Sequence, residues 1–212
     1  MAVIVVGGHS RNIGKTSVVA GLIARLPELH WTAFKITQYG HGFCTADGKP
    51  CQCQTEDSCV SLSAEHDPAS GTDTSRFLAA GAARSIWVRT RIGMLGDAIS
   101  RIEKELAASE NAILESNSIL DYLQPDLYLT VLDSAVADFK DSARRFLNRA
   151  DAVLISSTAP ADAILNSNLA DKPCFQIPPP AYISDNLVEF VRASLATKAP
   201  AAASWRSPII FS

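Results

Sequence analysis

Short apolar runs along the chain alternate with stretches in which apolar residues recur every three or four positions. Residues 2–6, 31–36, 112–116, 127–132, 153–156 and 174–177 read as strands, and 85–89 as extended chain. A helix is predicted over 16–26, where Val18, Val19, Leu22, Ile23 and Leu26 share a face before Pro27 ends it. Others are predicted over 72–83, over 95–106 with Leu95, Ile99, Ile102 and Leu106 one turn apart, and around Phe139, Ala143, Phe146 and Leu147. A last helix follows Ser184 or Asp185, either able to cap it, with Leu187, Val188, Val191 and Leu195 inward. Runs that are apolar throughout belong to strands covered on both faces, so the expected fold is α/β, a doubly wound and mostly parallel sheet. Ligands of such sheets sit beyond the carboxyl ends of the strands, which directs attention to the residues after Val6, Ile36, Leu114 and Ile155. Residues 38–71 are polar without clear periodicity, and 197–212 form an Ala/Pro-rich stretch. The expected organisation is one domain over 1–196, with an insertion at 38–71 and a tail.

Composition narrows the class. The 212 residues suffice for one sizeable core, and 47% apolar with 19% charged residues describes an ordinary globular chain, not a disordered or fibrous one. Nineteen Lys and Arg against 22 Asp and Glu leave a net charge of −3, so there is no global basic field and no nucleic-acid partner is expected. No stretch approaches the length of a membrane span, and the run 3–6 is too short for a signal-peptide core, so a cytoplasmic protein is expected. In that compartment thiols stay reduced, and clustered cysteines more often bind metal or do redox work than cross-link.

The first strand runs into Gly7-Gly8-His9-Ser10-Arg11-Asn12-Ile13-Gly14-Lys15-Thr16-Ser17 and then a helix. Strand, glycine-rich loop, Gly-Lys-Thr and helix, in that order, make a phosphate-binding loop, the P-loop of nucleotide hydrolases. Gly8, Arg11, Asn12, Ile13, Gly14, Lys15, Thr16 and Ser17 are the expected nucleotide-binding residues. Their backbone N–H groups would wrap phosphates, Lys15 would reach the outer ones, and the Thr16 hydroxyl would bind Mg²⁺. Five residues separate Gly8 from Gly14, one more than usual. Arg11 has the chemistry of an arginine finger, although its simpler expected state is solvent exposure. His9 is expected to make only a local hydrogen bond.

This loop resembles that of dethiobiotin synthetase. The rest of the chain resembles more closely the molybdopterin-guanine dinucleotide biosynthesis adapter family (MobB), through Lys35-Ile36-Thr37 at the end of the second strand, Asp73-Thr74-Ser75-Arg76-Phe77 followed by Ala80-Gly81-Ala82, and Leu114-Glu115-Ser116-Asn117. The resemblance spans residues 1–40 and 72–133. It implies that Thr16, Asp73 and Glu115 surround Mg²⁺, with Lys15 and Lys35 facing the phosphates or an anionic substrate. These five are the expected catalytic residues. Hard oxygen donors suit Mg²⁺, although Asp73 could simply cap its helix and Lys35 end its strand in solvent. Proteins of this branch often act as dimers, so a homodimer is also expected.

Base recognition is not legible: residues 156–159 read Ser-Ser-Thr-Ala, with no Asp for a guanine edge, so GTP and ATP are both open. Pro178-Pro179-Pro180 could be an apolar wall near the base or a rigid turn. Four cysteines, Cys44, Cys51, Cys53 and Cys59, fall within sixteen residues, near His41 and His66. Four thiolates suffice for zinc or an iron–sulfur cluster; a Cys-x-Cys disulfide or redox pair, or unrelated thiols, are the alternatives. Cys174 is expected to be a buried strand residue. The function expected is Mg²⁺-dependent GTP or ATP binding with weak or partner-stimulated hydrolysis, in metal-cofactor assembly, with molybdenum cofactor as one candidate, beside a cofactor-assembly protein. The alternatives are a dethiobiotin-synthetase-like ligase or kinase, and a nucleotide-gated metal carrier or redox sensor.

Overall fold

A computed structural model describes residues 1–40, 60–157, 169, 171–197 and 205, and additionally assigns 43–44, 49–50 and 204 to short strands. In chain order the main elements are β1 (Val3–Gly8), α1 (Lys15–Arg25), β2 (Trp31–Tyr39), β3 (Val60–Ala64), α2 (Asp73–Ala79), β4 (Arg84–Arg91), α3 (Ile99–Ala107), β5 (Asn111–Glu115), β6 (Leu127–Leu132), α4 (Asp141–Phe146), β7 (Ala152–Ile155), β8 (Cys174–Gln176) and α5 (Asp185–Thr197). The eight strands form one sheet in the order β8-β7-β6-β1-β5-β2-β4-β3. Every neighbouring pair is parallel except β3, which runs antiparallel to β4 at the edge. The fold is the expected doubly wound α/β sheet.

Among the described residues, alternation along the strands builds two large cores, with a smaller cluster of Leu132, Val153, Ile155 and Leu169 beside them. Ile4 and Val6 of β1, Ala33 of β2 and Ile113 of β5 meet Val18, Val19, Leu22 and Ile23 of α1, Phe77 of α2 and Leu187, Val188 and Val191 of α5. The other face sends Val3, Val5, Phe34, Ile86, Val88 and Leu114 against Ile102 and Leu106 of α3. With both faces covered, the strand ends are where such a sheet receives a ligand.

Local chemistry sets the helix bounds. Helix α2 starts at Thr72, whose hydroxyl accepts from the Ser75 N–H at 3.0 Å. It stops short of residue 83 because Gly81 takes φ 101°, letting its N–H reach the Leu78 carbonyl while the Ala82 N–H reaches Phe77, a Schellman stop. Helix α3 begins later than expected, since Leu95–Ala98 forms a tighter 3₁₀ turn. Ser184 caps α5 through its side chain, which accepts from the Leu187 N–H at 3.4 Å.

Three departures concern sequence patterns. Strand β3 lies inside the stretch read as aperiodic; Val60 and Leu62 pack on the core while Ser61 and Ser63 face the other way. Ser204–Trp205, within the expected tail, pairs with Leu123–Gln124, and Trp205 packs against the second core. Cys174 is exposed, not buried: β8 is the other edge, and it turns Phe175 inward onto Phe190 (ring centroids 5.1 Å apart) and Cys174 outward. Of the clustered cysteines, Cys44 falls in a two-residue strand, Phe43–Cys44, paired with Lys49–Pro50. Its thiol, together with Cys51, Cys53, Cys59 and His41, lies outside the described residues, as does any metal site they make. No helix among the described residues is long and apolar enough to cross a membrane.

Candidate functional site

A cleft of about 1250 Å³ opens at the carboxyl ends of β1, β5, β2 and β4. Its floor is the loop between β1 and α1. Gly14 takes φ 93° and packs under Tyr182, whose ring would lie 2.2 Å from any added Cβ. Glycine is therefore required here on both conformational and steric grounds. No side chain caps α1. The amides of its first turn thus keep their hydrogen-bonding capacity for a ligand in the cleft.

Asn117, 109 residues away, holds the loop's entry. Its Oδ1 accepts from the Gly8 N–H at 2.9 Å and its Nδ2 donates to the Gly8 carbonyl at 2.8 Å. Gly7 leaves room for this, since a Cβ there would lie 2.2 Å from Asn117 Oδ1. Lys15 closes the loop by donating to the Ser10 carbonyl, and burial lowers its ammonium pKa from 10.5 to about 8. Ile13 sends its side chain into the core, so its contribution to a ligand is its backbone. His9 is buried, donates from Nε2 to the Val136 carbonyl at 3.1 Å and stacks near Phe139, the local role expected of it. Arg11 departs from expectation: it is half-buried and lines the cleft, where its charge and, above all, burial lower the pKa of Lys140.

The second half of the site continues the sheet's alternation. Ala33 and Ile113 face the α1 side, so two residues later Lys35 and Glu115 face the same side, paired across β2 and β5 beyond the end of the apolar layer. Lys35 Nζ lies 2.5 Å from Glu115 Oε1, 2.8 Å from Asp73 Oδ2 and 3.4 Å from Thr16 Oγ1. The Thr16 hydroxyl donates to Glu115 Oε2 at 2.8 Å. Glu115 is 4% exposed and Asp73 44%. Burial alone would lower the Lys35 pKa, but the Glu115 and Asp73 carboxylates outweigh it and hold the ammonium above its ordinary value. Three elements thus bring together oxygens of Thr16, Asp73 and Glu115 around one cationic nitrogen.

All of the expected loop residues, with Lys35, Asp73 and Glu115, border this one cleft or, like Gly8 and Ile13, support it from below. Sequence reasoning missed Asn117, Tyr182 and Lys140. Only Asn117 had a local signal, standing two residues after Glu115. The prolines 178–180 form an exposed turn, with the Tyr182 N–H on the Pro178 carbonyl, that delivers Tyr182 to Gly14. Ser156 and Ser157 bond to Asp133 and Ser134 at the end of the neighbouring strand and do not line the cleft. Among the described residues no group of three His, Cys, Asp or Glu side chains converges on a metal position.

No family model and no curated protein matches the sequence. Among solved structures, the chain is similar to LpxK from Aquifex aeolicus, an "apo" form in complex with ATP, at 18% identity and TM-score 0.48, covering 83% of this chain and 53% of that one. It is also similar to HypB from Helicobacter pylori in complex with nickel, at 13% identity and TM-score 0.48, covering 94% and 90%. The chain spans about half the length of the LpxK chain.

Proposed function

We propose that the cleft binds a Mg²⁺–nucleoside triphosphate and promotes loss of its terminal phosphoryl group, slowly or under stimulation by a protein partner. One observation carries this reading: a glycine loop opening onto an uncapped helix N-terminus lies beside three hard oxygen donors, Thr16, Asp73 and Glu115, gathered on a single cation position. The donor set suits Mg²⁺, which takes one or two carboxylates and completes its shell with water and phosphate oxygens. Thr16, Asp73 and Glu115 would hold it, and when bound it would neutralise phosphate charge.

The chain's own residues supply the rest. The Gly8–Thr16 backbone would cradle the phosphates, and Lys15, released from the Ser10 carbonyl, would reach the outer ones. Lys35 would turn from the carboxylates toward the same charge, and Arg11 and Lys140 would add positive potential at the rim. Phosphoryl transfer needs little covalent chemistry from protein, so positioning and charge suffice. Glu115, anchored by the Thr16 hydroxyl, would orient the attacking water.

The test is calorimetric titration with ATP and with GTP, with and without Mg²⁺. Micromolar binding of one triphosphate is expected, together with its loss in Lys15→Ala; unchanged binding in that variant would refute the reading. The adapter resemblance extends the proposal to metal-cofactor assembly, with molybdenum cofactor as one candidate. There, added assembly partner should raise the hydrolysis rate, and sedimentation should report a homodimer.

A second reading, a small-molecule ligase or kinase, is favoured by the cleft's extension past Lys35 to Trp87 and Arg89. The metal-carrier reading rests on Cys44, Cys51, Cys53 and Cys59. Elemental analysis and an absorption spectrum of anaerobically purified protein test it, and absence of stoichiometric zinc or iron would exclude it.

A further inference from the structure

Paired positions on adjacent strands present their side chains on one face of the sheet. Glu115, Lys35, Trp87 and Ser63 therefore form a row across β5, β2, β4 and β3, and Thr37, Arg89 and Ser61 form the next row toward the cleft mouth. Strand spacing and rise put the Arg89 backbone about 8 Å from that of Lys35, one small molecule's length from the phosphate site.

This second row is organised. Trp87 Nε1 donates to Thr37 Oγ1 at 2.8 Å, which fixes the indole. The Arg89 guanidinium lies over that indole, 4.7 Å from its centroid, and among the described residues its Nη2 makes a long 3.4 Å contact with Ser61 Oγ. Arg89 Nε is buried yet has no hydrogen-bond partner among the described residues. Glu115 and Asp73, on the same side of the sheet, are engaged by Lys35. A guanidinium serving only as strand cover would turn its polar edge to water. Here the cation sits over an indole at the cleft wall, with a buried donor that no described residue engages, which is an arrangement able to receive a planar oxyanion.

We infer that Arg89, Trp87 and Thr37 form the oxyanion subsite of a second substrate: a small organic molecule that carries a carboxylate or phosphate and lies in the cleft beside the nucleotide. The inference rests on the phosphate loop being a nucleotide site and goes further by assigning the co-substrate's chemical class and the residues that select it.

The experiment uses the full chain with Mg²⁺ and AMPPNP or GMPPNP at a concentration that saturates each variant. It is titrated with inorganic phosphate and, separately, with benzoate, followed by calorimetry and tryptophan fluorescence. One of the two oxyanions should bind at millimolar or better affinity and change the tryptophan emission, a change that Trp87→Phe should abolish, and which one binds separates phosphate from carboxylate recognition. Arg89→Gln should weaken it at least tenfold, and Arg89→Lys, which keeps charge but not the planar fork, should recover only part. The thermal midpoint of each variant confirms that it is folded. Binding of neither oxyanion, or equal binding to Arg89→Gln and wild type, overturns the subsite. An Arg89-dependent oxyanion signal in a protein that binds neither analogue would uphold the subsite and overturn the nucleotide reading alone.

Discussion

Replacing Lys35 with methionine keeps the aliphatic stem and deletes the ammonium that Glu115 and Asp73 share. Glu115, 4% exposed, would then be left with the Thr16 hydroxyl as its described partner. Removing one member of a buried pair leaves an uncompensated charge and destabilises by about 3–5 kcal/mol. Asp73 is 44% exposed and water screens it, so its share is small and the lower end of that range applies. For a domain of this size about 3 kcal/mol corresponds to a fall in Tm of roughly 6–12 °C. Urea unfolding of Lys35→Met at neutral pH, followed by tryptophan fluorescence, measures it. The double variant Lys35→Met/Glu115→Gln removes both charges and should recover most of the loss, since a neutral amide still accepts from Thr16. That recovery is a coupling of roughly 2 kcal/mol in a double-mutant cycle. Millimolar Mg²⁺ should raise the midpoint of Lys35→Met more than that of wild type, because the vacated oxygens then bind the folded state's cation. A loss below about 1 kcal/mol, or single effects that simply add, would refute a buried pair at the centre of the site.

Asn117→Ala should lower stability by about 2–4 kcal/mol, because it orphans both the Gly8 N–H and the Gly8 carbonyl, and should weaken nucleotide binding; a titration paired with denaturant unfolding checks both. Lys15 titrates near 8 in the folded chain and near 10.5 when unfolded, so the unfolded state holds more protons between those values. The penalty for burying this charge is therefore fully present below pH 8 and fades as pH rises through 8 toward 10.5, while triphosphate affinity falls with pH above 8 and binding there takes up a proton. Calorimetry in buffers of different ionisation enthalpy detects the uptake, and affinity flat from pH 7 to 9.5 would contradict it. Glu65 is held down to about 2, first by the Asp67 backbone N–H and then by the Thr72 hydroxyl, so its contribution is present above pH 4.5 and lost as pH falls through 2. Glu65→Gln should flatten the acid limb of the Tm profile in that window.

The order of strands and helices was legible because each depends on neighbours three or four residues away: continuous apolar runs mark two-sided burial, and Gly-Lys-Thr after a strand marks the loop. Even there the signal could be overlooked, as with Val60-Ser61-Leu62-Ser63, whose period of two is that of a half-buried edge strand. The burial expected of Cys174 failed for a related reason: the pattern does not say which strand becomes the edge.

What the sequence determined by itself was therefore the α/β class and the order strand, glycine-rich loop, Gly-Lys-Thr and helix; Lys15, Thr16, Lys35, Asp73 and Glu115 it offered only as expectations for handling phosphate and Mg²⁺. Only the tertiary structure decided that Lys35 stands among the oxygens of Thr16, Asp73 and Glu115, that Asn117 clamps Gly8 across 109 residues, and that Trp87 and Arg89 extend the cleft. The physical reason is register. Parallel strands joined by crossover helices are neighbours only through long-range pairing, and that pairing aligns residues far apart in sequence on one face at the open end of the sheet.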